Sequence, residues 1–79
     1  MPETLYSLGK AASLEGDSRS AESAWSKVLT MEKTSSLAAQ AHFGLAGLYR
    51  KQGKTSEAER EMKEFQKLQN LSTTSNDRK

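Results

Sequence analysis

Residues 45–58 read Leu45-Ala46-Gly47-Leu48-Tyr49-Arg50-Lys51-Gln52-Gly53-Lys54-Thr55-Ser56-Glu57-Ala58. The first seven are helix formers broken only by Gly47, and Gln52-Gly53-Lys54 stops them. Thr55 and Ser56 start a new helix, with Ser56 and Glu59 at capping-box spacing. The same punctuation occurs earlier in the chain as Glu15-Gly16-Asp17-Ser18. There Gly16 supplies the left-handed residue that ends a helix, and Asp17 or Ser18 caps the next one. With Gly16 laid on Gly53, an offset of 37 residues, Leu8 falls on Leu45, Gly9 on Ala46, Ala21 on Ala58, Trp25 on Met62 and Val28 on Phe65. A period of this size marks stacked structural repeats.

Working outward from the two turns gives four helices. Leu5, Leu8 and Ala12 form an apolar stripe at helical spacing in the first, and Ala21, Trp25 and Val28 in the second. The polar stretch Lys33-Thr34-Ser35-Ser36 reads as the connection to a third, striped by Leu37, Ala38, Ala41, Leu45, Leu48 and Tyr49. The fourth carries Ala58, Met62, Phe65 and Leu68. The single proline is Pro2, so nothing in the interior interrupts a helix. β-branched residues are few and do not alternate, which argues against strands. Short turns make consecutive helices antiparallel. The expected fold is therefore all-α: two stacked antiparallel helical hairpins over residues 1–71. A flexible tail is expected over 72–79, where nothing can bury apolar surface.

The joint pattern resembles the tetratricopeptide repeat, whose unit of about 34 residues has a leucine followed by a small residue in its first helix. A glycine follows at the turn, then an alanine and an aromatic residue in the second helix. The first unit would run from about 2 to 35 and match at Leu5, Leu8, Gly9, Gly16, Asp17, Ala21, Trp25, Val28 and Leu29. The second would run from about 39 to 72 and match at Leu45, Ala46, Tyr49, Gly53, Ala58 and Phe65. Lys33 and Asn70 replace the proline usual at the end of the unit. The resemblance implies an α-solenoid in which Gly9 and Ala46 let helices cross closely, while Trp25 and Phe65 fill the space between hairpins. It also implies a protein-binding scaffold whose concave groove is lined by the first helix of each unit. The implied groove positions are Glu3, Tyr6, Lys10 and Ser13 from the first unit, and Gln40, Phe43, Gly44, Gly47, Arg50 and Lys51 from the second. One subclass of the family clamps a C-terminal carboxylate with lysine and asparagine. Lys10 and Gly44 stand where asparagines would be, so that mode is not implied here.

Surface aromatics with nearby cations suit peptide capture, which makes Tyr6 and Phe43 the expected anchors; the plainer alternative is that they pack on one another. Gly44 and Gly47, each costing about 0.8–1.0 kcal/mol relative to alanine in a helix, reflect either close helix packing or room left for a bound chain. Two units are fewer than the roughly three that such a core requires. The apolar back of the last helix, at Met62, Phe65 and Leu68, is therefore expected to be uncovered. Either the chain is part of a longer protein or it pairs with itself, so a homo-oligomerisation module is the alternative function.

Composition narrows the classes further. With 79 residues there is one small core, and a chain of this size buries only about 60 per cent of the surface its unfolded form exposes. The chain has no cysteine and one histidine, His42. No disulfide, thiolate site or metal-ligand spacing is legible, and no cofactor is expected. His42 lacks the partners a general base would need, and no serine sits in a nucleophile-elbow motif, so the chain is not expected to be an enzyme. Gly44 and Gly47 lack the strand-to-helix context of a phosphate loop. The net charge is +2, with eight basic and five acidic residues after position 40. That excess is interleaved with glutamate, and no nucleic-acid partner is expected. No apolar run approaches the roughly 20 residues of a membrane span, and the start of the chain lacks a signal-peptide pattern. A soluble chain, cytoplasmic by default, is the resulting expectation.

Overall fold

The computed structural model describes residues 2–77, with side chains described through Asn70. Four helices follow one another: α1 Pro2–Leu14, α2 Ser18–Met31, α3 Ser36–Lys51 and α4 Thr55–Asp77. α1 packs on α2 and α3 on α4, giving two antiparallel hairpins, and α3 also touches both helices of the first hairpin. The fold is all-α, as the periodicity predicts. The tail expected over 72–79 overlaps the end of α4. Side chains from Leu71 onward, and Arg78 and Lys79 altogether, lie outside the described residues.

Each hairpin turns in the same way. Gly16 and Gly53 take positive φ, 83° and 77°. Around them the Asp17 N–H donates to the Ala12 carbonyl at 2.8 Å and the Gly16 N–H to Ser13 at 3.1 Å. Shifted by one repeat, the Lys54 N–H donates to Tyr49 at 2.8 Å and the Gly53 N–H to Arg50 at 3.1 Å. Both pairs are the two hydrogen bonds of a Schellman ending, which satisfies carbonyls that the helix itself leaves free. The repeat read from side-chain types thus reappears in the backbone hydrogen bonds, at the same offset.

The restarts differ. The Asp17 side chain caps α2 by accepting from the Ser20 N–H, and Ser35 caps α3 by accepting from Ala38. The bond from Ser20 holds the Asp17 carboxyl below its ordinary range. α4 begins one residue before the expected capping box, at Thr55, which places Ser56 inside the first turn. Its first carbonyl acceptor is Lys54, whose N–H already closes the preceding helix.

The core is formed by Ala21, Trp25 and Val28 of α2 with Ala41, Leu45 and Leu48 of α3; Leu5, Tyr6, Ala12, Leu29, Leu37 and Tyr49 pack against it. Trp25 joins the hairpins. A β-carbon at Gly9 of α1 would stand 2.5 Å from its Nε1, and one at Gly44 of α3 would stand 2.8 Å from the far edge of its ring. Its Nε1 donates to the Tyr6 carbonyl at 3.2 Å. Truncating a buried residue of this size typically costs about 3–5 kcal/mol.

Two expected core positions differ. Leu8, on the predicted stripe of α1, is 57% exposed, because no described helix packs over that side. Phe65 does not fill the space between hairpins. Its ring lies 5.2 Å from that of Phe43 within the second hairpin.

Candidate functional site

The candidate groove positions fall into two registers. Glu3, Tyr6, Lys10 and Ser13 on α1, and Gln40, Phe43, Gly47 and Arg50 on α3, are spaced by three, four and three residues, so each set shares one helix face. The two sets are also one repeat apart, position by position. α3 touches α1, so the helices that carry the two sets are neighbours.

Within that frame the positions are not equivalent. Tyr6 is half-buried, its ring 6.2 Å from that of Trp25, and it packs against the core. It is therefore a packing residue rather than the free anchor expected of it. The structure does not pack Tyr6 and Phe43 on one another: Tyr6 has Trp25 as its aromatic neighbour and Phe43 has Phe65. Phe43 is 56% exposed. Lys10, Gln40, Gly47, Arg50 and Lys51 are all exposed, and Ser13 is half-buried.

The two glycines of α3 divide between the two explanations. Gly44 meets the Trp25 ring and belongs to the packing between hairpins. Gly47 meets nothing within 4 Å of where a β-carbon would be, so the surface there is open. An exposed aromatic, an open backbone position and the exposed cations Arg50 and Lys51 thus lie on α3, with exposed Lys10 on the neighbouring α1. Rings of this kind give contact area at little entropic cost, while cations orient acidic groups.

Met62, Phe65 and Leu68 do not share one groove. Met62 lines a shallow groove with Arg50, Thr55, Ala58 and Glu59. Phe65 and Leu68 line another, with the α2–α3 connection at Thr34 and Ser35 and with Gln40. All three are half-buried, so the back of α4 is only partly covered by the described residues.

Two polar pairs across helices had no local signal in the sequence. The Tyr49 hydroxyl donates to Glu22 Oε2 at 2.8 Å, tying α3 to α2. Burial, followed by this bond, pushes the phenol up to about 12. His42 Nδ1 lies 2.6 Å from Glu61 Oε1 and ties α3 to α4, so His42 is a half-buried packing residue with a carboxylate partner. Among the described residues no group of three His, Cys, Asp or Glu is placed to hold a metal, and no helix is long and apolar enough to cross a membrane. No protein-family model, curated protein or solved structure matches the chain.

Proposed function

We propose that the chain is a non-catalytic protein-interaction module of the tetratricopeptide kind, which holds an acidic peptide or helix across the exposed side of α1 and α3. The observation that carries this reading is Phe43, a large aromatic more than half exposed beside open Gly47, in a face that also bears Arg50. Lys51 on α3 and Lys10 on the neighbouring α1 add to the positive charge. The repeated turns and the small residues Gly9 and Ala46, both buried, support the repeat assignment. A helix or extended segment laid along such a face is recognised by pockets and charges at intervals, without any chemistry on the bound chain.

Selection of binders from a displayed random-peptide library tests the reading. Enriched peptides should combine acidic residues with one large apolar residue. Phe43→Ala, Lys10→Glu and Lys51→Glu should each weaken the best binder at least tenfold while the far-ultraviolet circular dichroism stays unchanged. An enriched peptide whose affinity ignores all three substitutions places the site elsewhere, and a library that yields no binder removes the function.

A further inference from the structure

The internal repeat gives this chain both halves of a contact that it makes only once within itself. The second hairpin seats on the first through Leu45 and Leu48 of α3, which join Trp25 and Val28 of α2 in one cluster, while Tyr49 bonds to Glu22. One repeat earlier, Leu45, Leu48 and Tyr49 become Leu8, Ala11 and Ala12. These line an open groove between α1 and α2 to which α3 contributes no residue. The contrast in burial is large: Leu45 is 2% exposed and Leu8 is 57% exposed.

The receiving surface is repeated too. Glu22 and Trp25 of α2 become Glu59 and Met62 of α4, one repeat later. They line the open groove with Ala58, the counterpart of Ala21. Trp25 is covered by Gly44 of α3, whereas Met62 is half-buried and, among the described residues, α4 packs only on α3.

We propose that copies of this chain stack head to tail. The α1 face bearing Leu8, Ala11 and Ala12 of one copy seats on the Ala58–Met62 groove of the next, continuing the contact of α3 on α2. The occupant is a second copy because the established internal interface is the template for both surfaces. Such a contact joins unlike surfaces, so it leaves one free end of each kind and extends as an open chain rather than closing as a symmetric pair. Two positions moderate it. Lys63 and Gln66 line the receiving groove where the internal interface has Ser26 and Leu29. The stacking is therefore reversible, growing with concentration. It uses none of Phe43, Lys10, Gly47 and Lys51, and shares only Arg50, at the rim of the receiving groove, with the peptide-binding face.

Sedimentation equilibrium of the full chain, of Leu8→Glu, of Met62→Glu and of their equimolar mixture tests this directly. The wild-type average mass should climb with concentration past that of two chains. Each variant alone should remain a monomer, having one blocked end. Their mixture should form a heterodimer and stop there, because the intact groove of Leu8→Glu receives the intact face of Met62→Glu. Gln66→Leu, which restores the side chain of the internal interface at an exposed position, should shift the wild-type association to lower concentration, and it keeps the test decisive should Met62→Glu unfold. A wild-type monomer at every concentration overturns the proposal. So does a plateau at two chains abolished by only one of the two substitutions, a mixture that remains monomeric, or an association that Gln66→Leu leaves unmoved.

Discussion

Trp25 lies so close over Gly9 that a methyl group at position 9 would stand 2.5 Å from Nε1, well inside contact distance. The indole cannot simply swing away. Its Nε1 is bonded to the Tyr6 carbonyl and its far edge lies against Gly44. Gly9→Ala and Gly44→Ala should therefore each destabilise the fold by about 1–3 kcal/mol through overpacking, despite alanine's better helix propensity. Gly47→Ala adds its methyl to open space and should stabilise by up to about 1 kcal/mol. Urea unfolding followed by circular dichroism separates the cases. Three substitutions of the same sign would mean that space around Trp25 does not control these positions.

Much of this arrangement is legible in the sequence. Gly16 and Gly53 announce their turns because a residue ending a helix with positive φ is best served by glycine. Ala21, Trp25 and Val28 announce a buried face by spacing alone. Spacing says which residues share a face, but not whether another helix covers it. That is why Leu8 reads as core and is exposed, and why Tyr6 reads as groove and packs on Trp25. The bonds from Tyr49 to Glu22 and between His42 and Glu61 join residues 27 and 19 positions apart. They depend on how the helices are rotated against each other, for which the chain carries no local signal.

Tyr49 gives a pH-dependent prediction. Its phenol is pushed up to about 12 in the folded chain, against 10.0 for the ordinary group, so the fold holds this proton more tightly than the unfolded chain does. The resulting stabilisation is complete below pH 10 and is lost as pH rises through 12. The stability advantage of the wild type over Tyr49→Phe should accordingly shrink between about pH 10 and pH 12, as read from thermal unfolding of the two proteins side by side. Absorbance at 295 nm should show one phenol step near 12 that the substitution removes. A difference in stability that is flat with pH would place no tyrosine proton in the link between α2 and α3.

Ser35 starts α3, and its hydroxyl accepts from the Ala38 N–H at 3.2 Å. Ser35→Ala leaves that N–H without its cap and should cost about 0.5–2 kcal/mol, most of which Ser35→Asp should recover. The acid should do well there because the first turn of α3 carries no acidic residue to complement the helix dipole. Denaturation midpoints of the three proteins decide it. If the aspartate variant is no more stable than the alanine one, the hydroxyl serves the connection between hairpins rather than the helix end.

The ring of Phe43 stands 5.2 Å from that of Phe65, tilted by 46°. Tilted pairs at this separation contribute about 0.5–1.5 kcal/mol beyond the area they bury. Phe43 is 56% exposed, so Phe43→Ala should cost well under the roughly 3–5 kcal/mol of a fully buried phenylalanine. Phe65→Ala should cost more, since Phe65 is half-buried and Phe43 is exposed. A double-mutant cycle isolates the coupling, and the two losses should sum to more than the loss in the double variant by the value of the pair. The result bears on function as well as stability. A modest loss for Phe43→Ala leaves a folded module in which the exposed ring is missing, and any fall in peptide affinity then belongs to the contact itself. A coupling near zero would make Phe43 an independent surface residue, held in place by its helix alone.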